Sequence, residues 1–432
     1  MDKQKKTFLV SIVTLLVLMI FTYVLTFTME CEGLSLLKFI ASPFLVLGSD
    51  SSSTIIAIII FLIIIGGIVE GLNQCGFLEY MINKIVSKYG NKKYKLIAVL
   101  VFFFMAMGSL VGSFEEVVPL VPIVVALAID LGFDALTGVG MSLLAVGCGF
   151  AAGVANPFTV GVAQGLAGLP MFSGISLRLV SFILIYFLLL GFLFVHTKRV
   201  DKKESIVSKS FESIKSKDKA LNAFAIIMGV GLLIVLSSPF LTFLQDFTMI
   251  IIALMFLIAG IVAILLSETP FKQFLKYFKT GAFNIAPSIL LILMASSIRY
   301  IMEESGLIIT LLDKFSSTAG FMNHIQLILF VYLICLIMNF FIPSGSAKAF
   351  LLMPLLIPLA AEFGLSPQLC IVAYAFGDGF SNVFYPTNPA LLISLGLIDM
   401  DYGTWFKYSW KFQLLNLLLT SGLLIAGLLL GY

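Results

Sequence analysis

Long runs of apolar residues, separated by short polar or basic segments, occupy almost the whole chain. They lie at about 8–27, 54–74, 95–111, 117–130, 136–168, 174–196, 221–237, 247–267, 282–302, 325–342, 349–361, 367–397 and 412–431. Most of them approach the roughly 20 residues that a helix needs to cross a bilayer. The pattern therefore predicts an all-α polytopic membrane protein.

Two of the runs are too short to span. Residues 117–130 and 349–361 each contain two prolines, and each follows a longer apolar arm across a polar break. Runs of about 10–14 residues are more typical of re-entrant segments. Irregular backbone at membrane depth must also be covered by protein or water. We predict re-entrant helical hairpins at 95–130 and 325–361, besides about nine spanning helices.

The distribution of positive charge fixes the predicted orientation. If both hairpins return to the side they enter, most of the 26 lysines and arginines fall on the side of the N-terminus, including those of the basic segment 199–219. Cytoplasmic loops carry an excess of lysine and arginine. We therefore expect a multi-pass protein of the cytoplasmic membrane with a cytoplasmic N-terminus.

The sequence also contains a weak internal repeat. A shift of 232 residues superposes eight identical pairs between 112–157 and 344–389, and a shift of 230 pairs Gly76 with Gly306. The matches concentrate on helix breakers, where a shared backbone requires particular residues. In the predicted topology the two hairpins open to opposite sides, so these are two inverted-topology repeats, an architecture typical of secondary transporters.

These patterns divide the chain into five parts. The parts are an N-terminal spanning helix with an interfacial segment at 1–53, repeat 1 at 54–198, a basic cytoplasmic linker at 199–219, connecting spans at 220–280, and repeat 2 at 281–432.

Composition excludes several classes of function. Hydrophobic residues make up 60% of the chain and charged residues 11%, against about 25% charged residues in soluble domains. A net charge of +3 gives no reason to expect nucleic acid as a partner. Five scattered cysteines and two histidines predict no disulfide framework, no metal site and no cofactor. The lipid bilayer and a small-molecule substrate are the expected partners.

Two asparagine–proline breaks interrupt long apolar helices at equivalent repeat positions, GVANPFT at 153–159 and YPTNP at 385–389. Each break by itself has a plain alternative as a packing kink. Unwound carbonyls and half-helix ends at paired breaks are suited to binding ions and polar substrate groups. The substrate-binding candidates here are Asn156, Thr159, Thr387 and Asn388.

The predicted hairpin tips and the second broken helix supply further polar residues. Intramembrane acids are costly, so Glu115, Glu116 and Asp378 are interpreted as functional, with helix capping or a local kink as the alternatives. Lys348 is either a tethered cation in place of a coupling ion or a side chain that snorkels to water. The tip candidates for substrate binding are Ser113, Glu115, Glu116, Ser344, Gly345, Ser346 and Lys348, and the candidates for ion coupling are Asp378 and Asn382.

The chain resembles the YfcC-type branch of the anaerobic C4-dicarboxylate carrier family, within the ion transporter superfamily, from about residue 55 to 411. The segments that carry the resemblance are EEVVPLVPIVVALAIDLGFD at 115–134, GFAAGVANPFTVGVAQGLAGLPMFSG at 149–174, FFIPSGSAKAFLLMPLLIPLA at 340–360 and FGDGFSNVFYPTNP at 376–389. Many relatives have a neutral residue where this chain has Lys348.

The resemblance implies two inverted repeats, an elevator mechanism and a homodimer. It also implies a secondary carrier for small organic solutes, with basic amino acid uptake or exchange as the leading reading and a C4-dicarboxylate as the alternative. Sodium and protons are both candidates for coupling. The residues alone leave a polytopic membrane enzyme as an alternative of another class, although no familiar catalytic motif is present.

Overall fold

A computed structural model describes residues 3–29, 31, 33–49, 52–112, 114–170, 172–201, 214–237, 248–319 and 322–432. Every regular element within these ranges is helical. Seven of the described helices or helical runs are long and apolar enough to cross a membrane. The prediction of an all-α polytopic membrane protein is therefore confirmed.

The α-helices follow one another along the described residues. The first ten are α1 Lys3–Thr28, α2 Leu36–Leu45, α3 Ser52–Gln74, α4 Phe77–Tyr89, α5 Lys93–Ala106, α6 Val121–Asp130, α7 Ala135–Val139, α8 Ala145–Ala152, α9 Val162–Leu166 and α10 Ile175–Val200. The others are α11 Lys215–Leu236, α12 Thr248–Leu266, α13 Phe271–Glu304, α14 Leu307–Ala319, α15 His324–Phe341, α16 Gly345–Glu362, α17 Pro367–Gly379, α18 Pro389–Leu397 and α19 Tyr402–Leu429.

The spanning candidates differ in part from the expected set. They include Lys93–Leu110, His324–Phe341 and Gly345–Glu362, which the sequence assigns to hairpin arms. The helix expected at 349–361 begins earlier, at Gly345, because the backbone of the polar residues after Ser344 already makes helical hydrogen bonds. The two hairpins, the nine spans and the five-part division stay predictions.

Two interrupted helices cross at the centre of the molecule. The first broken helix comprises residues 135–166, and the second broken helix comprises residues 367–397. A Cβ atom on Gly147 would lie 2.6 Å from Val383 Cγ1, and one on Gly379 would overlap the backbone of Ala151. The 232-residue shift converts each of these contacts into the other. Only glycine allows the two helices to approach this closely.

The segments beyond the two breaks pack crosswise. Residues Pro157–Gly161, just after the first break, contact α16 and α17. Helix α18, just after the second break, contacts α6 and the 3₁₀ helix Glu115–Leu120 that precedes it. Each break is therefore covered by the predicted hairpin of the other half of the chain.

Candidate functional site

The first break begins directly after α8, at Gly153, which has a left-handed backbone with φ +50°. Asn156 then starts the π-helical turn Pro157–Gly161. Its side-chain Oδ1 accepts hydrogen bonds from the N–H groups of Phe158 at 2.9 Å and Thr159 at 3.2 Å. Proline fits the first helical position because no N–H is needed there, and asparagine is a favoured N-cap.

The second break repeats this arrangement. Asn388 Oδ1 accepts from the N–H groups of Ala390 at 2.9 Å and Leu391 at 3.4 Å, with Pro389 at the first helical position. Asn156 and Asn388 therefore cap equivalent half-helices, as the sequence repeat suggests. The inverted repeat also predicts that these two asparagines lie close together in space, although they are 232 residues apart in the chain.

Neighbouring helices bind backbone groups that the second break sets free. Val383 O accepts from Trp405 Nε1 at 2.7 Å, and Phe384 O accepts from the Tyr402 hydroxyl at 2.8 Å. Because unpaired buried carbonyls are costly, these contacts from α19 hold the unwound segment in place.

The π-helical turn Met107–Val111, which follows α5, serves the first break in the same way. Ser109 Oγ accepts from Val154 N at 2.9 Å, and Ser109 O accepts from Ala155 N at 3.1 Å. The irregular backbone of both breaks is therefore built into the fold.

A fully buried ion pair lies between the second hairpin segment and the second broken helix. Lys348 Nζ donates to Asp378 Oδ1 at 2.5 Å, and both side chains are 0% exposed. The ammonium also donates to Asn339 Oδ1. The snorkelling alternative is therefore excluded, since no part of the lysine side chain reaches solvent.

A chain of amides extends from this ion pair to the second break. Asn339 Nδ2 donates to the backbone carbonyl of Asp378 at 3.1 Å and to Asn382 Oδ1 at 3.0 Å. Asn388 Nδ2 donates to the same Asn382 oxygen at 3.1 Å. Lys348 is thus connected through buried hydrogen bonds to the residue that caps α18.

The start of α16 lies between the two breaks. Gly345 O accepts a hydrogen bond from the Tyr374 hydroxyl. A Cβ atom on Gly345 would lie 2.6 Å from Asp378 Oδ2 and 2.7 Å from Thr159 Cγ2. Its neighbours Ser344 and Ser346 are half-buried. The tip candidates Gly345 and Lys348 are therefore brought together with Asp378 and Thr159.

Four buried polar atoms at the breaks have no hydrogen-bond partner among the described residues: Asn156 Nδ2, Thr159 Oγ1, Asp378 Oδ2 and Thr387 Oγ1. Leaving a buried donor or acceptor unpaired costs about 1–3 kcal/mol. Amide and hydroxyl donors can bind a carboxylate, and the carboxylate oxygen can accept from an ammonium. The set is therefore suited to a solute with both kinds of group.

The first predicted tip is described in part. Ser113 lies outside the described residues, as do the side chains of Glu115 and Glu116, whose backbone begins the 3₁₀ helix Glu115–Leu120. Gly112, just before them, is left-handed with φ +72°, and a Cβ atom there would overlap the Asn156 amide. The backbone of this tip therefore reaches the first break.

Sequence reasoning missed Ser109 and Asn339. Each is a buried polar residue in a mostly apolar helical segment, and each donates to or accepts from the backbone beside the break of its own half of the chain. The 230-residue shift pairs the two positions. That coincidence is the signal that identifies them.

Metal ligands do not cluster at the site. No group of three or more histidine, cysteine, aspartate or glutamate residues that could hold a metal ion occurs in the described part of the chain. The site consists of helix ends, amides, hydroxyls and one ion pair.

Comparison with known proteins places the chain in a family. The model of the family described as "C4-dicarboxylate anaerobic carrier" matches residues 7–429. The chain is 29% identical to "Putative basic amino acid antiporter YfcC" of Escherichia coli strain K12 over 431 residues, covering 94% of this chain and 84% of that protein.

Two solved transporter structures also match. The YdaH transporter of Alcanivorax borkumensis has a TM-score of 0.49 at 19% identity, covering 99% of each chain. MtrF of Neisseria gonorrhoeae, from a class of antimetabolite efflux pumps, has a TM-score of 0.46 at 15% identity, covering 96% of this chain and 94% of that one. A likeness of this degree carries no information about substrate.

Proposed function

Since the chain belongs to the C4-dicarboxylate anaerobic carrier family of membrane transporters, we propose that it is a secondary active carrier of amino acids, basic ones above all, working by uptake or exchange. The family is described as a carrier, and the relative from Escherichia coli is described as a putative antiporter. The enzyme alternative is therefore set aside, and the family has no known cofactor.

The observation that carries the proposal is the set of unpartnered buried atoms at the two breaks, on Asn156, Thr159, Asp378 and Thr387. Polar groups in a protein interior are normally paired, so unpaired ones at both breaks predict a ligand that completes the hydrogen bonds. Half-helix N-termini after Asn156 and Asn388 add a partial positive charge suited to a carboxylate.

Formal charge favours a cationic solute. The ion pair of Lys348 and Asp378 is neutral as a unit, and the first predicted tip adds Glu115 and Glu116. A surplus of negative charge attracts a side-chain cation and repels a second carboxylate. The substrate proposed is therefore an amino acid with a basic side chain.

A C4-dicarboxylate is the second candidate, because the family description names it and a lysine lies in the site. Against it, the Lys348 ammonium is already hydrogen-bonded to Asp378 and Asn339. A dicarboxylate would have to compete with these buried partners.

Two contacts at the crossing of the broken helices support an inverted repeat. The contacts of Gly147 with Val383 and of Gly379 with Ala151 exchange under the 232-residue shift, as contacts across a two-fold relation do. We extend the proposal to an elevator mechanism, in which the hairpins and broken helices move together against a dimeric scaffold. The proposed location is the cytoplasmic membrane with the N-terminus inside.

Counterflow in proteoliposomes tests the substrate. Vesicles preloaded with unlabelled arginine should accumulate labelled arginine, while vesicles preloaded with succinate should not. Empty vesicles with the same protein give the background. Exchange of succinate without exchange of arginine would replace the proposal by the dicarboxylate candidate.

A further inference from the structure

We propose that the Lys348 ammonium permanently occupies the position of a coupling cation, so that this carrier runs without sodium. The inference rests on the proposed transport function and concerns how the site between α15, α16 and α17 is kept neutral. It follows from the oxygen atoms around the ammonium, from its covalent attachment to α16 and from the helices that the ion pair connects.

The shell is the kind that binds hard cations. The hydrogen-bond acceptors of Lys348 Nζ are a carboxylate oxygen of Asp378 and an amide oxygen of Asn339. Oxygen ligands from carboxylates and amides are those that such ions take in proteins. The ring of Tyr374, with its centroid 5.7 Å from Nζ, adds a cation–π contact.

The ion pair joins three helices. Lys348 lies in the first turn of α16, Asn339 lies in α15, and Asp378 lies in α17 beside the second break. A diffusible cation would hold these helices together only while bound. The lysine holds them in every state in which the ion pair is intact, so the carrier needs no bound cation before it reorients.

The lysine also leaves one oxygen of the carboxylate free to accept a hydrogen bond. Asp378 Oδ1 is engaged by the ammonium, whereas Asp378 Oδ2 has no partner among the described residues. The α16 backbone at Gly345 borders that second oxygen. A substrate amino group binding at Oδ2 would therefore meet a carboxylate that is already neutralised, which favours exchange of one substrate for another.

The test removes the positive charge of Lys348 and measures whether sodium then stabilises the protein. In Lys348→Gln, a side chain of similar length without charge leaves Asp378 unpaired, whereas Lys348→Gln/Asp378→Asn removes both charges. Lys38→Gln is the matched control, because Lys38 forms an exposed ion pair with Glu304 at 3.0 Å. Thermal unfolding of the purified proteins is measured without substrate, in sodium chloride and in choline chloride of equal ionic strength.

For wild type, for Lys38→Gln and for the double variant, the Tm of each protein should be the same in sodium chloride as in choline chloride. Lys348→Gln should melt lower than wild type in choline, and sodium should raise its Tm saturably by about 3 °C or more. Arginine counterflow by wild type should be equal in the two salts, and counterflow by Lys348→Gln should require sodium. A variant that folds only in sodium would support the proposal equally.

Three results would overturn it. The first is a wild-type Tm that is higher in sodium chloride than in choline chloride. The second is a Lys348→Gln protein whose Tm is the same in both salts. The third is a single variant that unfolds in every salt while the double variant folds, which would make Lys348 a structural counter-ion only. Since the melting series contains no substrate, it stands whether or not arginine is transported.

Discussion

Gly379 lies against the backbone of Ala151 with no space for a Cβ atom, at the point where the two broken helices cross. The equivalent glycine of the first broken helix, Gly147, faces the side chain of Val383 instead. One contact is therefore with backbone, which must shift as a whole, and the other is with a side chain.

This difference predicts unequal effects of adding a methyl group. Gly379→Ala should lower the stability by more than the roughly 1–3 kcal/mol typical of overpacking, and Gly147→Ala should fall within that range. Gly422→Ala, in the open on α19, should be neutral or stabilising by up to about 1 kcal/mol. Thermal unfolding in detergent measures all three, and equal melting of Gly379→Ala and Gly422→Ala would refute the close crossing.

Substitutions of the two capping asparagines are expected to affect stability and substrate binding differently. Asn156→Ser keeps a good N-cap but loses an unpartnered Nδ2, so we expect a Tm close to that of wild type and uptake reduced at least about tenfold. Asn388→Ser loses a donor that binds Asn382, so it should be less stable by about 1 kcal/mol. Uptake and melting of the two variants are compared side by side, and a stable Asn156→Ser with full uptake would remove Asn156 from the site.

The two unpartnered threonine hydroxyls predict a loss of affinity without a loss of stability. Thr159→Val and Thr387→Val remove no hydrogen bond made by the described residues, so the apo protein should be as stable as wild type or more so. The KM for substrate should rise by about 5- to 150-fold, the equivalent of roughly 1–3 kcal/mol.

Thr420→Val is the control for these variants. The Thr420 hydroxyl is hydrogen-bonded to that of Tyr332 at 2.8 Å, so this change should lower Tm and leave KM unaltered. A Thr159 or Thr387 variant that behaves like Thr420→Val would show that its hydroxyl serves folding.

The glutamates of the first predicted tip are expected to act on substrate. Glu115→Gln and Glu116→Gln should impair transport far more than folding, since a carboxylate engaged with a cationic group loses a charge-assisted contact that a neutral amide cannot replace. Glu304→Gln, which alters an exposed ion pair with Lys38, is the matched control. Uptake in liposomes measures the effect, and normal uptake by both tip variants would leave them a capping role only.

Charged residues and helix breakers within apolar runs could be identified from the sequence as candidate site residues. Each raises the free energy of a membrane helix, so each is expected to have a role. Lys348, Asp378, Asn156 and Asn388 stand out in this way, and the structure places all four at or beside the breaks.

The partners of these residues could not be read in the same way. Asn339 is one polar residue within an apolar helix, and its significance depends on a contact across 39 residues with Asp378. The length of the apolar run at 349–361 also gave too short a helix. The helix observed there, Gly345–Glu362, is long enough to span the membrane, so its length does not distinguish a hairpin arm from a span.

The crosswise packing of the two halves has a consequence for biosynthesis. Residues Pro157–Gly161 pack against α16 and α17, which are synthesised much later. The 3₁₀ helix Glu115–Leu120 packs against α18, which is synthesised later still. The backbone of the first break can be hydrogen-bonded within the first half, but that half enters the membrane before the helices that pack against the break. Domains normally fold as units during synthesis, but here neither half has a finished interior of its own. A nascent chain that stalls before α18 would expose to lipid the surface of Glu115–Leu120 and α6 that α18 covers in the finished fold.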